Sequence, residues 1–308
     1  MNRNRELKPV LAAVGAMIFW SFSFVWVKVA YLAYEPLTVI ILRLVFSSVL
    51  LFVFSLSVRR LQIPSRKDAG IFLLLAFFEP FLYFMGESYG MKFVSSTVAA
   101  VIVATIPLFA PLFAWYFFRE RVTLMNVAGL AASFIGVSLV VTNPDFSFSA
   151  SPKGVALEFL AVFAAIAYST VLRKLSFRYN TFTIISFQNL IGIFLFLPFW
   201  LIYEWEGFMA TPFHPQAFRA IILLAVFAST LAFVLFTTSV RTLGINRSNT
   251  YINLIPVFVA IFAYFTLGDQ LTLRKMAGIG VVIVGLFLAQ IRRMKKQPAA
   301  KVPQVGQA

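Results

Sequence analysis

Residues Ile106 to Leu124 read IPLFAPLFAWYFFRERVTL and lead into an apolar run that carries Gly129 and Gly136. The pattern returns at Ile255 to Leu273 as IPVFVAIFAYFTLGDQLTL, again ahead of an apolar run, with Gly278 and Gly285. The offset is 149 residues without a gap: Pro107 falls on Pro256, Phe109 on Phe258, Phe113 on Phe262 and Thr123 on Thr272. It also reaches back, where Leu74, Leu75, Ala76, Phe78, Leu82 and Phe84 meet identical residues 149 positions later. A long internal repeat fixes the architecture of a chain before any single element does. One unit has been used twice.

Of the 308 residues 61% are hydrophobic and 12% charged, about half the roughly 25% charged expected of a soluble domain. Such a chain has too little polar surface to cover itself in water, and its solvent is lipid. Cysteine is absent and His214 is the single histidine, which argues against a disulfide framework, a thiolate nucleophile or a metal site built on those residues. No phosphate-binding loop motif occurs, so neither ATP hydrolysis by this chain nor a cofactor is expected. The net charge of +15 falls in short clusters between apolar runs rather than on one basic face, which speaks against nucleic acid as a partner.

Ten segments are long enough to cross a bilayer as helices: roughly 9–31, 37–57, 69–91, 95–117, 124–142, 154–175, 181–203, 218–240, 247–266 and 273–291. The expected fold is an all-α membrane protein. The first segment is too long and too rich in Phe and Trp for a cleaved signal, so a retained span is expected. Lys and Arg concentrate on one side, at Arg3, Arg5 and Lys8, at Arg59, Arg60, Arg66 and Lys67, at Arg173, Lys174 and Arg178, and at Arg292, Arg293, Lys295, Lys296 and Lys301. The other side receives few, among them Lys28, Lys92 and Lys153. That bias predicts a multi-pass protein with both termini cytoplasmic. Residues 292–308 read as a basic cytoplasmic tail that ends in a disordered Pro, Gln and Ala segment.

The offset carries Pro107 in the fourth span to Pro256 in the ninth, so each unit holds five spans, over 10–142 and 154–290. An odd number turns the second copy upside down. A 5+5 inverted repeat is a recurring transporter plan, with the cargo site near the midplane between the halves.

The P-x-F…R-E-R-V-T and P-V-F…L-G-D-Q-L-T blocks, each followed by a glycine-spaced helix, resemble the drug/metabolite transporter superfamily, specifically ten-span proteins built from two EamA domains. WSFSFVWVK at Trp20–Lys28 is similar to that family's first-span opening. Arg119 stands where the family usually has Gly, and Asp269 where it usually has Glu. The resemblance implies a plasma-membrane transporter, usually an exporter of small metabolites, amino acids or drugs.

Polar groups inside a span cost roughly 2.5–3.5 kcal/mol each at its centre on insertion scales, so each calls for an explanation. Glu79, Tyr83 and Glu87 stand at i, i+4 and i+8 on one helical face of the third span. Pro80 deprives the carbonyl one turn earlier of its donor, so a kink is expected there. At 1.5 Å per residue Glu79 lies about 18 Å from the outer end of the span and Glu87 about 6 Å. A Glu87–Arg43 ion pair is geometrically allowed. The repeat sharpens the reading, because Glu79 aligns with Ala228, Tyr83 with Ala232 and Glu87 with Phe236. The scaffold therefore packs without carboxylates at these places. Glu79 is expected to line the pathway, meeting a cationic group of the cargo or taking up a proton; alternatively it is protonated and bonded to a neighbouring helix, with Glu87 neutralising Arg43.

Asn249 and Asn253 on the ninth span, where the first copy has Ala100 and Ala104, and Gln188 and Asn189 on the seventh, read either as cavity amides or as interhelical hydrogen bonds. Trp20 with Ser21 and Ser23 forms a further candidate patch. Pro107 and Pro256 read as symmetric hinges, and the four paired glycines as close-packing sites. Lys28 is expected to snorkel.

Gly86-Glu87-Ser88-Tyr89-Gly90 matches a nucleophile-elbow pattern, but it falls inside a membrane helix rather than at a strand-to-helix turn. No catalytic set accompanies it, and the chain is not expected to be an enzyme. A membrane-embedded enzyme and a non-transporting scaffold are the alternatives to a secondary transporter that works by alternating access of its two five-span halves on a small-molecule cargo. A homodimer is compatible with the sequence.

Overall fold

A computed structural model describes residues 3–109, 124–142, 150–244, 248–249 and 251–296. All regular elements among them are helices: α1 Arg3–Ala30, α2 Pro36–Ser57, α3 Arg66–Gly90, α4 Ser96–Phe109, α5 Leu124–Val141, α6 Pro152–Ser176, α7 Thr181–Tyr203, α8 Pro215–Leu243, α9 Tyr251–Leu267 and α10 Leu273–Lys296, with a short helix Trp205–Ala210 between α7 and α8. Six of them, α1, α2, α3, α6, α7 and α8, are long and apolar enough on their own to span a bilayer. The second half of the expected fourth span, with Arg119 and Thr123, lies outside the described residues, as does the tail from 297 onward. Helix α10 runs on through the basic residues to Lys296, so part of the expected tail prolongs the tenth span.

The helices start where local chemistry supplies partners for their first N–H groups. Pro36 opens α2 behind an extended Glu35. Asn180 accepts from the Thr183 N–H at α7, and His214 Nδ1 accepts from the Ala217 N–H at α8, which begins with Pro215. Thr272 Oγ1 accepts from the Lys275 N–H at α10, which caps that helix.

Packing reproduces the repeat as a pseudo-two-fold. α5 lies along α10; a Cβ placed on Gly136 would sit 2.7 Å from the Gly278 carbonyl oxygen, and one on Gly285 would sit 2.7 Å from that of Gly129. Adding 149 to Gly136 and subtracting it from Gly278 turns the first contact into the second. Between them Ser133 Oγ donates to the carbonyl of Val282 at 3.4 Å, its own repeat equivalent, on the axis itself. α2 lies against α7 on the other side. The first spans are exchanged: α1 packs on α8 and α9, and α6 packs on α3 and α4. The chain is thus a ten-helix, 5+5 inverted repeat whose halves interleave.

The third and eighth spans share an irregularity. α3 breaks in a kink at Phe77–Leu82, where Glu79, just ahead of Pro80, takes an extended conformation (φ −148°, ψ 119°). α8 widens at Leu224–Ala232, its repeat equivalent, without any proline. The kink expected at Pro80 is present in α3, whereas α8, with no proline at the equivalent position, widens without a break. The fourth and ninth spans are interrupted too, by a turn at Ala104–Thr105 and by a 3₁₀ turn at Tyr251–Leu254. Pro107 and Pro256 sit in the first helical turn after each interruption, where a missing N–H costs least.

Candidate functional site

A buried cavity of about 60 Å³ lies where these irregular spans meet, several times the roughly 10–15 Å³ that one water requires. α1 contributes Trp20 and Ser23, α2 Arg43, α3 Glu79, Tyr83, Phe84 and Glu87, and α6 Tyr168 and Ser169. Phe233 and Phe236 come from α8, and Asn249, Ile252 and Ile255 from the ninth span or just before it. The wall is symmetric in shape: Phe84 answers Phe233, Val103 answers Ile252 and Ile106 answers Ile255. It is asymmetric in charge, because Arg43, Glu79 and Glu87 all come from the first repeat.

Each polar wall group is held differently. Tyr83 donates to Glu87 Oε1 at 2.9 Å, one turn along α3. Arg43 Nε donates to Ser229 Oγ at 2.9 Å, and the guanidinium carbon lies 4.2 Å from the centre of the Phe84 ring. Arg43 and Glu87 therefore share the cavity without closing an ion pair; the ion pairs among the described residues are Lys92–Glu35 and Arg178–Asp68. The Glu79 carboxylate accepts no hydrogen bond from any described residue, although Glu79 is only 7% exposed. Trp20 Nε1 donates at 3.3 Å to the carbonyl of Ala228, the repeat equivalent of Glu79, and its ring meets Phe233 and Phe236. Asn249 reaches the wall with its Oδ1 unpartnered.

Three expected site residues lie elsewhere. Gln188 accepts from Tyr168 Oη at 3.2 Å, and Asn189 donates to Ser47 Oγ at 2.8 Å, so both tie helices together behind the cavity. Asn253 is buried away from the wall with both amide atoms unpartnered. Lys28, expected to snorkel, instead donates to the Met91 carbonyl at the end of α3. Ser88 of the elbow-like motif is buried in a helix, its carbonyl accepting from Tyr31 Oη at 2.8 Å, and the single histidine caps α8; neither is placed for nucleophilic chemistry. Tyr168 and Glu158 were not singled out by sequence. Tyr168 and Ser169 are the polar wall residues that the sixth span contributes, and that span is the repeat counterpart of the one carrying Trp20.

Contacts between the repeats also tie the two faces of the helix bundle. On the face carrying the termini, Asp68 pairs with Arg178 at 2.5 Å and accepts from Tyr179 Oη at 2.8 Å. On the opposite face, the Glu204 carboxylate accepts from the N–H groups of Leu37 and Thr38 at 3.1 and 2.7 Å, where the dipole of α2 favours an anion.

The EamA-like transporter family model matches residues 7–142 and 152–290. An uncharacterized transporter of Archaeoglobus fulgidus is 25% identical over 93% of this chain and 100% of its own length. YcxC of Bacillus subtilis, also an uncharacterized transporter, is 25% identical over 98% of this chain and 99% of its own. A probable terminal-alkyne amino-acid exporter of Streptantibioticus cattleyicolor is 24% identical over 96% and 98%. A crystal structure aligns with a TM-score of 0.68 at 17% identity, over 92% of this chain and 98% of that one, which speaks for the fold alone. With a family model covering both repeats, the chain belongs to the EamA-like transporters of the drug/metabolite superfamily, multi-pass membrane proteins that move small molecules rather than enzymes.

Proposed function

We propose that this transporter exports a small metabolite, amino acid or drug through the central cavity, with Glu79 the group that meets the cargo. The observation that carries this is the Glu79 carboxylate: buried at the cavity wall, without a hydrogen bond from any described residue, and opposite an alanine in the other repeat. A carboxylate that serves the scaffold alone would be bonded, since burying it unpaired is costly. Aromatic faces from Trp20, Phe84 and Phe233, and the Asn249 amide, suit an amphipathic cargo carrying a cationic or amine group. The Streptantibioticus relative, a probable amino-acid exporter, supports the outward direction. Transport would proceed by alternating access, and the exchange of α1 and α6 makes the moving bodies α1 with α8 and α9, and α6 with α3 and α4. Under this reading the termini face the cytoplasm, as the Lys and Arg bias requires.

The test is overexpression in cells challenged with amino acids, their analogues and cationic dyes. Resistance to one class, lost in Glu79→Gln, is expected. Resistance retained in Glu79→Gln, or no change in the accumulation of any compound, contradicts the assignment.

A further inference from the structure

A second carboxylate lies outside the cavity wall and is used by nothing above. Glu158 sits in α6, fully buried, and neither of its carboxylate oxygens has a hydrogen-bond partner among the described residues. It occupies a slot that the facing helix leaves open. A Cβ on Gly90 would fall 2.7 Å from Glu158 Oε1, and one on Gly86 would fall 2.6 Å from the Leu157 carbonyl oxygen. The two glycines of the elbow-like motif therefore bring α3 and α6 together and make room for this side chain. Any larger residue at 90 would displace the carboxylate.

The surroundings decide what such a group can hold. An ionised carboxylate with no donor, in a site closed to water, carries a desolvation penalty of several kcal/mol. A proton on the carboxyl removes it. Glu87 and Lys28 act on Glu158 electrostatically, while Lys28 itself also feels Asp269. Tyr31 and Tyr83 are the other titratable groups within its field. α4, which also packs on α6, carries no titratable residue from Ser96 to Phe109. Lys28 spends its ammonium on the Met91 carbonyl rather than on Glu158. Glu158 thus lies near the end of α6 opposite the termini, beside Gly90 at the end of α3, with Glu87 three residues away along α3.

We propose that Glu158 is a proton-binding station on the outer arm of the pathway, exchanging a proton with water as the transporter opens on that face. The step makes and breaks only the carboxyl O–H bond: water on the outer face supplies the proton and takes it back. The proposal rests on the transport reading for its meaning, but not for its test.

The test is infrared difference spectroscopy on the full-length protein in lipid nanodiscs, following the C=O stretch of protonated carboxyl groups as the pH is raised. A band that disappears with rising pH is expected in the wild type and in Glu79→Gln, and is expected to be missing in Glu158→Gln. Should Glu158→Gln fail to fold, Glu158→Asp keeps the carboxyl and must shift the band's frequency. A titrating band unchanged in Glu158→Gln, unshifted in Glu158→Asp, or absent from the wild type overturns the proposal, as does a Glu158 band that never titrates, the mark of a purely structural acid. None of these results alters the resistance phenotype, so the two readings fail separately.

Discussion

The irregular turns of α3 and α8 occupy equivalent positions in the two repeats and carry opposite chemistry. In α8 the turn is a polar clip: Ser229 accepts from Arg43, and Thr230 bonds Ser47 at 2.8 Å. In α3 the equivalent residues are Pro80 and Phe81, and Pro80 fits so closely against α7 that a Cβ on Gly192 would fall 2.4 Å from its Cγ. Counted from their N-caps, Glu35 and Asn180, Ser47 and Gly192 hold the same register twelve residues on. One contact is hydrogen-bonded and the other is apolar packing, yet both fix the same geometry. What the polar clip frees is α3, whose turn presents Glu79 to the cavity, where α8 presents only the Ala228 carbonyl. Duplication supplied the shape, and divergence supplied the charge.

Several substitutions would break or sharpen that contrast. The largest stability effect is expected where the halves are alike. Gly136→Ala and Gly285→Ala each drive a methyl into a carbonyl of the opposite span, at a cost of about 1–3 kcal/mol. Because the two contacts are images, equal losses of thermal stability are expected; a large inequality would break the pseudo-symmetry. Arg43→Lys keeps the charge but loses the Nε bond to Ser229 and the planar contact with Phe84, worth about 1–2 kcal/mol in unfolding measurements. Its register partner in α7 is Gln188, and Gln188→Ala, which removes one neutral bond, should cost about 0.6 kcal/mol. Glu204→Gln tests a further inequality, since α2 is capped from the other repeat and α7 by its own Asn180. The loss should be about 0.5–1 kcal/mol. Smallest is Asp68→Asn, because Arg178 is 62% exposed and surface ion pairs contribute roughly 0–1 kcal/mol.

The fold was legible because a repeat and a hydropathy pattern are properties of the chain itself. Parity alone predicts the inversion that the Gly136–Gly278 and Gly285–Gly129 contacts display. The exchange of α1 and α6 was not legible, since nothing in the apolar runs says which half a span leans on. At the site, Glu79, Tyr83, Glu87, Arg43, Trp20 and Asn249 meet at one cavity, as an intramembrane polar residue without a repeat counterpart would lead one to expect. Gln188 and Asn189 do not, because an amide bonded across helices and an amide facing a cavity have the same sequence signature. Glu158 escaped notice for a related reason: it stands only six residues inside α6, where a carboxylate reads as a helix-end charge. Its burial depends on the two glycines of α3, which are distant in sequence.

The central claim is that the pathway's chemistry resides where the repeats differ, and Glu79 carries most of it. The direct measurement is cargo transport by purified Glu79→Gln and wild-type protein in proteoliposomes, each across a range of pH. Loss of a charged contact worth about 1.5–3 kcal/mol predicts a rate reduced roughly 10- to 100-fold, in a protein that folds as well as the wild type. Transport by Glu79→Gln unchanged in both rate and pH dependence would contradict the account.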